Sequence, residues 1–387
     1  MNTVQQIIKI YRKNNPNSHF INQVEKVFSH IELCSTEKMG YHLYRCSTEG
    51  CNHTKMQYHS CHDRHCPRCG NQRADEWIEN RSTDLLPCIY YHLVFTVPHQ
   101  LNTVFLGNMS VCYNILFKSV SETLLDFANN KKYLAALPGI ISVLHTWGQN
   151  LSFHPHLHCI ITGGGMKSDG LWKQLPFRND GFLFPVKALK KMYRGKLLDF
   201  IDKAIKKQEI ILPANLNWKK VKTLLYNIEW NIYSKSVMTT PVQVIEYLGN
   251  YTHKVAISNR RIIEVNTKSV RFYWRDYRDN RIKKMSLIID EFVSRLALHI
   301  LPKGFVKIRQ YGLWAYRNKD NRIAQILKKM NLPPPPSKVE VPFYLRLLEK
   351  TGIDIHFCPR CKKRSMVLYE VVYKCRNPDI FKVKSNE

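Results

Sequence analysis

Ile140-Ile141-Ser142-Val143-Leu144-His145-Thr146-Trp147, then Gly148-Gln149-Asn150, then Leu151-Ser152-Phe153-His154-Pro155-His156-Leu157-His158-Cys159-Ile160-Ile161-Thr162, is the stretch from which the architecture and its chemistry can be read. Both flanks are apolar and β-branched, and the three residues between them suit a tight turn, so the stretch predicts a hairpin of strands. Alternate residues of a strand face opposite ways. His154, His156 and His158 therefore share one face, and Pro155, Leu157 and Cys159 the other. Imidazoles two residues apart can hold one divalent ion, although satisfied core histidines are the commoner outcome. Two features favour the metal: the hairpin ends in Gly163-Gly164-Gly165, and His145 stands across the turn. Two of His154, His156 and His158 could then meet His145 around one ion.

A second element is Glu246-Tyr247-Leu248-Gly249-Asn250-Tyr251-Thr252-His253, following Pro241 at a position suited to the first turn of a helix. In a helix Tyr247 and Tyr251 lie one turn apart on one face, as core residues or as a pair of phenols reaching the same point. One chemistry uses both elements. An imidazole-held ion, Mg²⁺ or Mn²⁺, polarises a phosphodiester, and a tyrosine attacks it to give a phosphotyrosine that conserves the bond for rejoining. No Walker-type phosphate loop is present, so no nucleotide cofactor is expected.

The composition points to a polyanion. Lys and Arg number 59 against 30 Asp and Glu, a formal charge of +29, and 44% of residues are hydrophobic. Such an excess goes beyond solubility and suits counterion release from nucleic acid. Basic residues alternate with rings in Arg271-Phe272-Tyr273-Trp274-Arg275, a pattern for stacked bases, or else for a solvated face over core aromatics. Arg64, Arg68, His154, Arg260, Arg261, Arg271 and Arg275 are the candidate DNA contacts. No apolar run approaches a membrane span and no signal-peptide pattern opens the chain, so no membrane partner and a cytoplasmic, nucleoid-associated location are expected.

In a reducing compartment the twelve cysteines read as metal ligands or buried thiols rather than disulfides. Cys46, Cys51, Cys66 and Cys69 are the expected ligands of one structural Zn²⁺, with Cys61 or His65 able to replace one of them. Cys358, Cys361 and Cys375, with His356 nearby, supply the pieces of a second zinc knuckle. The expected division is a helix and zinc module over 1–84, a catalytic domain over 85–265, a basic α/β extension over 266–335, and a C-terminal cysteine-bearing tail over 336–387 beyond Pro333-Pro334-Pro335-Pro336. Strands are expected at Cys88 to Val97, Arg261 to Val265 and Ser269 to Trp274. Helices are expected at Val111 to Ala128, Val186 to Lys207, Trp218 to Ser234 and Ser286 to Ile300.

His156-Leu157-His158 resembles the His-hydrophobic-His signature of HUH endonucleases, and Tyr247-x3-Tyr251 their two-tyrosine helix. Ser60 to Cys69, Leu86-Pro87, Phe95 to His99, His145 to Gly148, Tyr247 to Arg261 and Leu301 to Phe305 are together similar to rolling-circle insertion-sequence transposases with an N-terminal zinc-binding domain. The resemblance implies an α+β fold whose antiparallel sheet, flanked by helices, carries His156 and His158 on a middle strand as ligands of the divalent ion; the third ligand is expected to be His145, with Gln149 and His92 behind it. It also implies cleavage of single-stranded DNA at transposon ends and target, through a 5′-phosphotyrosine on Tyr247 or Tyr251, by a chain able to form oligomers. A plasmid replication initiator or relaxase would use the same chemistry. A non-catalytic zinc-containing DNA-binding protein would use none of it.

Overall fold

In a computed structural model, residues 2–70, 84–175, 183–238, 243–244, 249, 254–317, 319–334, 341–374 and 381–385 are described. The chain is α+β and divides into two units, residues 1–71 with 337–387, and residues 72–336. Among the described residues no helix is long and apolar enough to cross a membrane.

The first unit opens with helices α1 (Val4–Asn14) and α2 (Asn22–Leu33). Thr3 caps α1 by accepting a hydrogen bond from the Gln6 amide. The i, i+3, i+4, i+7 stripe of Val24, Val27, Phe28 and Ile31 is buried on α2. Strands β1 (Gly40–Cys46) and β2 (Thr54–Tyr58) form an antiparallel pair. The other edge of β1 is occupied from the far end of the chain by β13 (Met366–Lys374), which β14 (Phe381–Ser385) flanks. The segment expected to stand apart over 336–387 is therefore half of the N-terminal module's sheet. Pairing between strands so distant in sequence leaves no local periodicity to betray it.

The second unit is organised by a five-stranded antiparallel sheet, in order β12, β4, β5, β3, β8. Its members are β3 (Tyr90–Thr96), β4 (Gly139–Trp147), β5 (Phe153–Thr162), β8 (Ile232–Met238) and β12 (Ile308–Gly312). After β5 the chain turns through a small ribbon, β6 (Gly164–Met166) and β7 (Trp172–Gln174). One sheet face packs on helices α4 (Met109–Asn129) and α5 (Val186–Lys206): Leu93, Phe95, Leu144, Leu157 and Cys159 join Tyr113, Leu116, Leu124, Tyr193 and Leu197 in the main core. Fully burying one such large apolar side chain contributes about 1.5–3 kcal/mol. A short helix α3 (Asn102–Gly107) precedes α4. On the opposite face, at one end of the sheet, Tyr90, Ile141, Val143 and Ile160 pack with Trp314 and with Ile323 and Ile326 of helix α8 (Lys319–Lys329). Gly139 is required there: a Cβ on it would lie 2.8 Å from the Trp314 indole. The other end of that face holds the histidines.

Two expected helices are shorter than their patterns. The one from Trp218 stops at Asn227, as α6, and Ile232–Met238 becomes edge strand β8 on β3. Trp230, 2% exposed, donates its indole N–H to the Leu225 carbonyl and anchors the reversal. Likewise Ile282–Ile288 is strand β11, and helix α7 begins only at Ile289 and ends at Ala297. β11 pairs with β10 (Ser269–Arg275), which β9 (Ile262–Val265) flanks. The expected extension over 266–335 is no separate body, because its strand β12 closes one edge of the central sheet.

Candidate metal centre and cysteine clusters

The histidines sit together because of the register of β4 and β5. His145 stands directly opposite His156, and Val143 opposite His158, so His145, His156 and His158 emerge on one face. One ligand nitrogen from each lies within 4.8 Å of the others. The turn that sets this register is tight. Gly148 donates its N–H to the Ser152 carbonyl, and Leu151 donates to the Gly148 carbonyl while holding a φ of 63°.

Hydrogen bonds orient the rings. His156 Nδ1 lies 2.7 Å from the His154 carbonyl, which makes Nδ1 the donor and leaves Nε2 free to bind a cation. His158 Nδ1 lies 3.0 Å from Nε2 of His92 on β3, so its own Nε2 is the nitrogen left for a ligand role. His92, one of the two expected substitutes for His145, thus stands behind His158. Gln149 is at the turn, where its carbonyl accepts from Arg261. His145 is buried and stacks on Trp147, with centroids 4.7 Å apart. Burial pushes His156 and His92 down to about 4, and it pushes His158 well below the usual imidazole range, helped by the neighbouring His145, His156, His92 and Lys254. His156, His158 and His92 are therefore neutral near pH 7, the state in which an imidazole binds a metal.

The hairpin tip is clamped from outside the sheet. Arg295 on α7 donates to the Asn150 carbonyl at 3.0 Å, and His299 Nε2 donates to the Leu151 carbonyl at 3.1 Å. Arg261 gives its guanidinium to the carbonyls of Gln149, Tyr273 and Ala256. Expected as a DNA contact, Arg261 is turned inward, whereas Arg68, Arg260, Arg271 and Arg275 are exposed and Arg64 and His154 half-buried. His299, Arg295 and Lys254 had no motif to mark them. Tyr247 and Tyr251 lie outside the described residues.

The cysteines divide differently from the expectation. Cys66 and Cys69 gather with Cys34 and Cys61, whereas Cys46 and Cys51 gather with Cys358 and Cys361. A single site of Cys46, Cys51, Cys66 and Cys69 is thereby corrected. The expected alternative Cys61 is in the first cluster; His65 is not, and accepts a hydrogen bond from Arg64 Nε at 3.3 Å. Cys34, just past α2, lies 27 residues from its nearest partner in sequence and carries no spacing signal. In this cluster Cys69 Sγ is 3.6 Å from both Cys34 and Cys61 Sγ. A tetrahedron of ~2.3 Å zinc–sulfur bonds has edges of about 3.8 Å, so the cluster fits a structural zinc. Bare thiols packed this closely share protons unequally: hydrogen bonds from Cys61, Cys66 and Cys69 pull Cys34 far down, while Cys34 pushes Cys61 far up. A dication removes that conflict by taking four thiolates. His356 is not among the residues gathered in the second cluster, and its Nδ1 donates to the Met366 carbonyl at 3.0 Å, while Cys375 lies outside the described residues.

Comparison with known proteins agrees with this arrangement. The family described as "Transposase zinc-binding domain" matches residues 3–97, and that described as "Putative transposase" matches residues 139–322. The chain is 37% identical over 357 residues to "Putative transposase y4qJ" of Sinorhizobium fredii, covering 89% of each chain. It is 27% identical over 338 residues to the transposase for insertion sequence element IS801 of Pseudomonas savastanoi pv. phaseolicola, covering 86% of this chain and 80% of that one. No solved structure matches. With a zinc-binding domain before the histidine sheet and such likeness along nearly its whole length, the chain belongs to the family of insertion-sequence transposases with an N-terminal zinc-binding domain.

Proposed function

We propose that this transposase nicks and rejoins single-stranded DNA at the ends of its element, using a divalent ion on His145, His156 and His158 and a tyrosine nucleophile, Tyr247 or Tyr251. The observation that carries the reading is the convergence of three imidazoles from two adjacent strands, with His156 and His158 oriented by hydrogen bonds. Mg²⁺ or Mn²⁺ bound there would withdraw charge from a non-bridging phosphate oxygen. The phenolate oxygen bonds to phosphorus, the P–O3′ bond breaks, and the departing 3′ oxygen takes up a proton. The 5′ end remains on the tyrosine, and attack by another 3′-OH reverses the exchange without an external energy source. The exposed Arg68, Arg260, Arg271 and Arg275, with Arg64 and His154, supply phosphate contacts, and Tyr273, 41% exposed between Arg271 and Arg275 on β10, offers a ring for a stacked base. Arg261 acts instead by positioning the hairpin.

The test is incubation of the protein with end-labelled single-stranded element ends and Mn²⁺, followed by denaturing electrophoresis. A covalent protein–DNA band lost in Tyr247→Phe, Tyr251→Phe or their combination is expected. Nicking with no such band in any variant would replace the tyrosine mechanism with hydrolysis by activated water.

A further inference from the structure

The second cysteine cluster lies half outside both matched segments, since Cys358 and Cys361 fall beyond residues 3–97 and 139–322. We propose that Cys46, Cys51, Cys358 and Cys361 form a second structural zinc site, which clasps the two ends of the chain together. The four sulfurs converge within 4.8 Å. Cys46 and Cys361 Sγ are 3.6 Å apart, Cys51 and Cys358 Sγ 3.8 Å, edge lengths that match a tetrahedral Zn(Cys)₄ centre of ~2.3 Å bonds.

The backbone is shaped for it. Cys358-Pro359-Arg360-Cys361 repeats the tetrapeptide Cys66-Pro67-Arg68-Cys69 of the first cluster. Both knuckles close with the same bond: the Lys362 amide donates to the Cys358 carbonyl at 3.0 Å, and the Gly70 amide to the Cys66 carbonyl at 3.1 Å. Lys362 then takes a φ of 59°, reversing the chain toward β13. Hydroxyls stand where thiolates need donors: Ser365 Oγ is 3.1 Å from Cys46 Sγ, and Thr48 Oγ1 is 3.6 Å from Cys361 Sγ. Four thiolates around a dication leave two net negative charges, and Arg360, Lys362, Lys363 and Arg364 flank the knuckle. Beside the cluster, β1 ends at Cys46 opposite Met366 of β13, so the metal would lock the register of the β1–β13 pair.

The experiment is zinc counting on the full-length protein carrying His156→Ala, which removes the histidine centre from the count, after passage over a chelating resin under reducing conditions. Two zinc per chain are expected, falling to one in Cys358→Ser/Cys361→Ser and staying at two in Cys361→His, which keeps a ligand. Thiol alkylation read by peptide mass spectrometry gives an answer that does not depend on a variant's folding. In the zinc-loaded parent, Cys46, Cys51, Cys358 and Cys361 should resist alkylation and become reactive as a set when a strong chelator extracts the metal. One zinc per chain in the parent, or ready alkylation of these four thiols before chelation, would overturn the proposal.

Discussion

His92 Nε2 and His158 Nδ1 are 3.0 Å apart, in rings that lie within 6° of parallel with centroids 5.3 Å apart. This contact spans β3 and β5 and determines which nitrogen of His158 faces the proposed ion. His92→Ala is therefore expected to weaken the apparent metal affinity by about 10- to 100-fold, as loss of such supporting groups does elsewhere. The check is the Mn²⁺ concentration giving half-maximal nicking, which should rise while maximal nicking at saturating Mn²⁺ is largely preserved.

Removing a ligand should act differently. His156→Ala is expected to abolish nicking at any Mn²⁺ concentration while leaving affinity for single-stranded DNA within about twofold, because binding is spread over many phosphate contacts. Gel-shift and nicking assays on one preparation separate the two. Parallel loss of both would mean that the histidine is merely structural.

The His299 ring is neutral by construction: Nε2 donates to the Leu151 carbonyl, and Nδ1 accepts from Thr146 Oγ1 at 3.3 Å. Burial pushes it from 6.5 to about 4. Its folded form takes up a proton less readily than the unfolded chain, so stability is complete above about pH 6.5 and is lost as pH falls toward 4, by up to about 3 kcal/mol. Urea unfolding at pH 7 and pH 5 should show this loss, and His299→Gln should flatten the difference between the two. An unchanged difference would remove His299 as its source.

Lys319 Nζ lies 2.6 Å from Asp84 Oδ2 with both side chains nearly buried, and the Asp84 carbonyl accepts the Trp314 indole N–H at 3.1 Å. Lys319→Met removes the ammonium from a buried carboxylate and should destabilise the second unit by about 1.5–3 kcal/mol, whereas changing Asp84 to Asn in the same chain should recover part of that. Denaturant midpoints of the single and double variants decide it.

Local signals read correctly where they were local. The hairpin, the shared face of His156 and His158, and the placement of His145 opposite them followed from strand alternation and one turn. The α2 stripe and the helices at Met109–Asn129 and Val186–Lys206 followed from apolar periodicity. What escaped was non-local. Cys34 has no neighbour in sequence to pair with, His299 meets the hairpin only through folding, His92 is expected as a substitute for His145 but not as the partner of His158, and β13 finds β1 across most of the chain. The start of the edge strand, Ile232 to Ser234, read as helix because its preference is decided by the free edge of β3 rather than by its own composition.

The pairing of Gly40 with Tyr373 fixes an order of events during synthesis. β1 is synthesised long before β13, so that edge of its sheet stays open until Met366–Lys374 has been made. A frameshift or premature stop between β1 and Met366 deletes a neighbour of β1, so a lesion far downstream also opens the sheet to which β1 belongs.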